Sequence, residues 1–211
     1  MDELTLPLCG IDRLRMATDG HGVTALVVSY GCPLDCRYCI NPFTHDGAGK
    51  FKNVTPEELY SRVKQDDLYY RATGGGIMFG GGEPLLHAKF IDAFRAIAPA
   101  EWKLYTETSL YTPKDNIRVA AGAIDRFYVD IKDTDRAIYS KYTGVNGAGD
   151  VLDNLRLLVD LAGSDRITVR VPLIPGYNNE DNVRASVVLL RSMGLIEFDC
   201  FEYRRGSGKP G

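Results

Sequence analysis

Several things are missing from this chain, and each absence removes a class of function. No apolar run approaches the ~20 residues that a membrane-spanning helix requires. The opening "MDELTLPLCG" is acidic and has neither the basic region nor the apolar core of a secretion signal. Basic charge is not in surplus: 25 Lys and Arg stand against 28 Asp and Glu, a net charge of -3, so no broad cationic face offers itself to a nucleic-acid backbone. There is no internal repeat and no low-complexity tract apart from the tail "RRGSGKPG". Cysteine is sparse and odd in number, five in 211 residues, which does not make a secreted disulfide framework. A cytoplasmic protein of one domain over 1–211 is expected, with a short N-terminal extension at 1–22 and a flexible tail at 204–211.

Runs rich in Val, Ile, Tyr and Phe recur at 23–30, 76–80, 102–108, 126–132, 167–173 and 196–203, and they read as strands. Helical patterns fall between them. Thr55, Pro56 and Glu58 form a capping box opening a helix to about Arg71. A second helix is expected over 85–98, and a third starts at Thr112 and Pro113. A fourth places Val151, Leu155, Leu158, Val159 and Ala162 on one face, and a fifth over 180–194 is stopped by Gly194. Six strands alternating with helices call for a parallel sheet, because each parallel return needs a crossover. Six units fall short of the ~250 residues of an eight-stranded barrel, so the expected fold is α/β, a partial (β/α)6 TIM-type barrel; a flat doubly wound sheet is the alternative. In both, chemistry gathers at the C-terminal ends of the strands.

Three of the five cysteines sit at such an end. Cys32, Cys36 and Cys39, in "GCPLDCRYCINP", follow the first strand within eight positions, in a run broken by Pro33 that does not read as buried core. Zinc with His45 or His87 as a fourth ligand is one reading, although no second cysteine pair exists. A 4Fe-4S cluster is the other: it normally takes one thiolate per iron, and three thiolates would leave one iron open to chelate a substrate. Cys9 and Cys200 are isolated and read as packed residues.

"CPLDCRYC" resembles the CxxxCxxC motif of the radical S-adenosylmethionine (SAM) superfamily, including the aromatic Tyr38 before the last cysteine. That resemblance implies a 4Fe-4S cluster whose open iron binds the amino and carboxylate groups of SAM, and whose reduction splits SAM to a 5'-deoxyadenosyl radical. It also places Tyr38 beside the cofactor. "FGGGEP" (79–84) lacks the Lys-Ser/Thr of a phosphate loop and resembles the GGE motif that holds the methionine amino group, which nominates Gly81, Gly82 and Glu83. At the end of the third strand, Glu107 and Ser109 share one side; Asp130 and Lys132 do the same on the fourth. An exposed carboxylate and an ordinary ion pair are the plain alternatives for these. Arg170 stands alone among apolar neighbours, and a buried arginine wants an anion.

Taken in order, "TDGHGV" (18–23), "ETS", "DIKDTDRAIYSKYTGV" (130–145) and "RVPLIPGYNN" (170–179) are similar to the activating enzymes of glycyl radical enzymes, such as the pyruvate formate-lyase activating enzyme. By that resemblance Lys132 and Arg170 contact SAM, and Glu107, Thr108 and Asp130 also hold a monovalent cation. A glycyl radical enzyme would be the protein substrate, with flavodoxin or ferredoxin as electron donor. Two departures stand out. Ile40-Asn41-Pro42 replaces the family's His-Asn-Pro, and Glu202 takes the place of a SAM-contacting histidine; ionised, it cannot donate a hydrogen bond. Direct modification of a peptide or small molecule, and a non-catalytic metal-binding module, are the competing readings.

Overall fold

The computed structural model describes residues 4–16, 20–45, 47 and 49–203. The expected tail at 204–211 and the start of the "TDGHGV" segment lie outside the described residues. Six strands run parallel in one row: β2 (Val23–Ser29), β4 (Gly76–Gly81), β5 (Lys103–Thr108), β6 (Arg126–Asp130), β7 (Ile167–Leu173) and β8 (Glu197–Glu202). These are the six expected strands, to within two residues at each end. Two further strands extend the row beyond β2. β1 (Leu6–Met16) is antiparallel to β2, and the short β3 (Lys52–Val54) is antiparallel to β1. Within the expected N-terminal extension, Leu6–Met16 is therefore sheet.

The sheet curls. Arg15 of β1 and Leu26 of β2 line the same cleft as Phe201 and Glu202 of β8, although those strands are far apart in the row. Only a row bent round on itself brings them to one cavity, which makes the partial barrel and disposes of the flat alternative.

Helices cover the outside. α1 (Pro56–Val63) opens with the expected capping box: Glu58 N donates to Thr55 Oγ1 at 3.2 Å, and Thr55 N donates to Glu58 Oε2 at 3.1 Å. The single helix expected to Arg71 is broken at Lys64–Asp66, where a tighter turn intervenes before α2 (Asp67–Thr73). Buried Asp66 causes the break to matter, since it takes a two-bond ion pair from Arg13 of β1. α3 (Ala88–Ile97) begins after a single turn at Pro84–His87. α4 (Lys114–Ala123) has Pro113 as its cap without a side-chain hydrogen bond, so Thr112 does not repeat the role of Thr55. α5 (Arg136–Thr143), absent from the sequence reading, is capped by Asp135. α6 (Ala148–Ala162) buries Val151, Leu155, Leu158 and Ala162, and α7 (Glu180–Ser192) ends before Gly194, whose φ of +89° suits glycine. No helix among the described residues is long and apolar enough to cross a membrane.

Candidate active site

The C-terminal ends of the parallel strands enclose a cleft of about 610 Å³. Cys32, Cys36 and Cys39 all line it, as do Gly81, Gly82, Glu83, Glu107, Thr108, Ser109, Asp130, Lys132, Arg170 and Glu202. Residues drawn from five strands and from the cysteine loop thus meet in one place, as the sequence reading required.

Close backbone approach builds the first wall. Gly82 N donates to Ser29 O and Glu83 N to Gly31 O, lacing the glycine loop after β4 to the start of the cysteine loop. A Cβ on Gly82 would lie 2.2 Å from the carbonyl oxygen of Gly31, and one on Gly81, at φ +95°, would lie 2.6 Å from Val28 Cγ1. Only glycine fits either position. Asn41 ties the far end of the cysteine loop to the same wall by donating from Nδ2 to Gly81 O at 3.4 Å.

Glu83 is in the cleft wall, but its carboxylate is committed. Oε1 accepts from Thr108 Oγ1 (2.6 Å) and Leu85 N (3.2 Å); Oε2 accepts from Ser109 Oγ (2.6 Å) and Ser109 N (2.9 Å). Burial pushes this carboxyl above the usual carboxylate range, against the pull of those four bonds. Glu83 therefore clasps β4 to β5 and fixes the backbone of the glycine wall. The Ser109 and Thr108 hydroxyls are spent on the same clasp.

The opposite wall is ionic. Arg170 donates from Nε to Asp130 Oδ1 (2.5 Å) and from NH1 to Glu107 Oε1 (2.7 Å), while Lys132 Nζ donates to Asp130 Oδ2 (2.8 Å). The anion that a buried arginine wants is supplied here by two carboxylates of the chain. Burial alone would raise Asp130, but Lys132 and Arg170 outweigh it and hold the acid down to about 2. Burial likewise works to lower Lys132 and Arg170, yet Asp130 in both cases, joined by Cys36 and Glu107 respectively, keeps them above their ordinary ranges.

The thiols fit a cationic cluster. Burial pushes Cys32 up to about 12 and Cys36 up to about 11, and it raises Cys39 as well. Three thiols that resist ionisation on their own become thiolate ligands when metal charge offsets the burial, since a coordinating thiol is deprotonated outright. Neither His45 nor His87 lines the cleft, and His87 Nε2 sits 3.2 Å from the Tyr30 carbonyl oxygen. Among the described residues no three His, Cys, Asp or Glu side chains converge tightly enough for a single ion. One thiolate per iron of a larger cluster suits this spread better than one shared zinc.

Tyr38 is not among the residues that line the cleft. It packs among Tyr142, Tyr177 and Tyr203 with centroids 5.5 to 6.3 Å away, and its hydroxyl donates to Pro175 O. Tyr142 and Tyr203 reach the cavity in its place. Glu202 lies exposed at the rim, its side chain without a hydrogen bond or ion pair to any described residue, and Ile40 is 70% exposed at the mouth. Cys200 is exposed rather than packed. Arg15 was missed. It faces the cleft from β1 opposite Thr24, just after a bulge at which Leu14 takes φ +56°. Two arginines in "IDRLRM" were the only available signal.

A sequence model described as the radical SAM superfamily matches residues 26–185. The chain belongs to the radical SAM superfamily. An isethionate sulfite-lyase activating enzyme of Desulfovibrio desulfuricans is 33% identical over 249 aligned residues, covering 89% of this chain and 80% of the relative. A pyruvate formate-lyase-activating enzyme of Clostridium pasteurianum is 30% identical over 188 residues, covering 85% and 74%. Streptococcus suis SuiB bound to S-adenosylmethionine has the same fold, with a TM-score of 0.63 at 15% identity over 85% of this chain and 40% of that one. This radical SAM chain is accordingly an enzyme of the activating type, and its cofactors are a 4Fe-4S cluster and SAM.

Proposed function

We propose that this radical SAM enzyme removes a hydrogen atom from the α carbon of a glycine in a partner glycyl radical enzyme. The observation that supports the reading best is the meeting of three half-buried thiols with a glycine wall and an ionic wall in one cleft at the strand ends. When bound and reduced, the cluster supplies one electron that divides SAM into methionine and a 5'-deoxyadenosyl radical, which takes the hydrogen and leaves as 5'-deoxyadenosine.

Cys32, Cys36 and Cys39 hold the cluster. The main chain of Gly81 and Gly82, fixed by Glu83, receives the methionine amino group; Lys132 and Arg170 face the carboxylate and ribose, with Ser109 and Tyr38 supporting from behind. Glu107 and Asp130, with the Thr108 main-chain carbonyl, form the candidate seat of a monovalent cation. No general acid or base is needed for a hydrogen-atom transfer. What the chain provides is alignment and exclusion of water. A flavodoxin or ferredoxin serves as the electron donor.

Anaerobic loading with iron and sulfide, reduction with dithionite and quantitation of 5'-deoxyadenosine tests the SAM chemistry. Electron paramagnetic resonance of the partner then distinguishes a stored glycyl radical from modification of a free peptide or small molecule. Ile40 and Glu202 favour that second reading, since both place unmatched side chains at the rim where the substrate enters. A partner that gains no glycine-centred signal while 5'-deoxyadenosine accumulates refutes the activating role.

A further inference from the structure

A second groove, of about 770 Å³, shares no lining residue with the cleft. Its floor is β1 around Gly10 and Ile11, and its rim carries Lys50, Lys52 and Arg62, with no carboxylate among the described lining residues. In a chain of net charge -3 this is a local reversal of sign. The three cationic side chains are exposed and form no ion pair with any described residue, whereas Arg71, Arg156 and Arg184, equally exposed, are all paired. Between the cations stands Phe51, 46% exposed.

Phe51 leads inward. Its ring stacks on Tyr30 with centroids 4.6 Å apart, and Tyr30 is two residues before Cys32. Tyr30 N donates to Pro7 O and Gly31 N to Thr44 O, so the segment between the aromatic pair and the first cysteine is pinned on both sides. One aromatic contact thus joins an exposed cationic groove to the loop that carries the cluster ligands.

We propose that this groove docks the electron donor, and that the donor is a flavodoxin-type carrier with an acidic surface. Resting on the cluster reading above, the assignment follows from charge complementarity and from the apolar face that Phe51 offers to the exposed edge of a flavin. The transfer balances simply. The anionic flavin hydroquinone gives up one electron to become the neutral semiquinone, the cluster at the three cysteines gains that electron, and no proton moves. Approach from the groove leaves the substrate cleft clear, so carrier and protein substrate can be bound together.

The test is charge reversal at three exposed positions, Lys50→Glu, Lys52→Glu and Arg62→Glu combined. Calorimetry with oxidised flavodoxin should show affinity weakened by about tenfold or more, and the salt dependence of the unmodified chain should be lost. SAM cleavage driven by reduced flavodoxin at subsaturating concentration should fall about tenfold, while cleavage driven by dithionite stays at the parental rate and certifies the fold. Unchanged flavodoxin affinity and unchanged flavodoxin-driven cleavage overturn the docking site. Loss confined to ferredoxin overturns the choice of carrier. If the parental chain fails to cleave SAM even with dithionite, the proposed function fails, and calorimetry still judges the groove.

Discussion

Two charge clusters sit on the same pair of strands, and they differ in what surrounds them. At the base of the barrel, Arg126 at the start of β6 donates to Thr168 of β7 and to Glu197 of β8, with side chains 29% and 50% exposed for the ion pair. At the other end of β6 and β7, Asp130, Lys132, Arg170 and Glu107 are 14 to 25% exposed and line the cleft. Each has an arginine paired with a glutamate. Water screens the lower cluster, which stitches three strands together and does little else. The upper cluster holds four charges out of water, where each is strong and where removing one strands the others. Position along the strand, rather than the act of pairing, separates a fastening from a site.

The largest effect expected from any single change lies beside the upper cluster: Cys36→Ala should abolish the iron-sulfur absorbance of the loaded protein and reduce 5'-deoxyadenosine to background, as losing one of three ligands removes the cluster's hold. Next, Arg170→Met leaves Asp130 and Glu107 without their shared guanidinium, and urea unfolding of the metal-free chain should show a loss of about 3–5 kcal/mol. A smaller loss at that size would make the upper cluster no different from the lower. Asp130 gives the third measure. Its acidity is held down in the fold, so its contribution is complete above the ordinary carboxylate range and disappears as pH falls through about 2. About 2 kcal/mol of stability should be lost between about pH 4 and pH 2, and Asp130→Asn should flatten that part of the acid titration. The smallest change belongs to the base: Arg126→Met should cost no more than about 1 kcal/mol and leave SAM cleavage driven by dithionite unaltered.

How much of this was legible in the chain follows the same division. Buried parallel strands announce themselves, since "VTALVVSY" and "ITVRVPL" have few other uses. β1 did not, because Pro7, Gly10, four charged or left-handed positions and two register shifts hide its alternation. α5 has only eight residues and was absorbed into the "DIKDTDRAIYSKYTGV" motif. Within the site, the cysteines, Lys132 and Arg170 were readable because unusual residues stood at strand ends. The clasp around Glu83 was not, as nothing in "GGEP" says that Thr108 and Ser109, more than twenty residues on, will consume the carboxylate. Tyr38, next to Cys39 in the chain, packs behind the residues that line the cavity, which sequence proximity alone does not reveal. Arg15 required knowing that the sheet curls.

The Glu83 clasp has a mechanical consequence. Four hydrogen bonds to one acid make the glycine side of the cavity stiff, while β8 opposite is paired on one edge alone among the described residues, and five of its six residues are exposed. A bulky guest entering the barrel will find almost all the give on that second side. Compliance is therefore lopsided, and hydrogen exchange during substrate entry should quicken at Glu197–Glu202 long before it changes at Gly81 and Gly82.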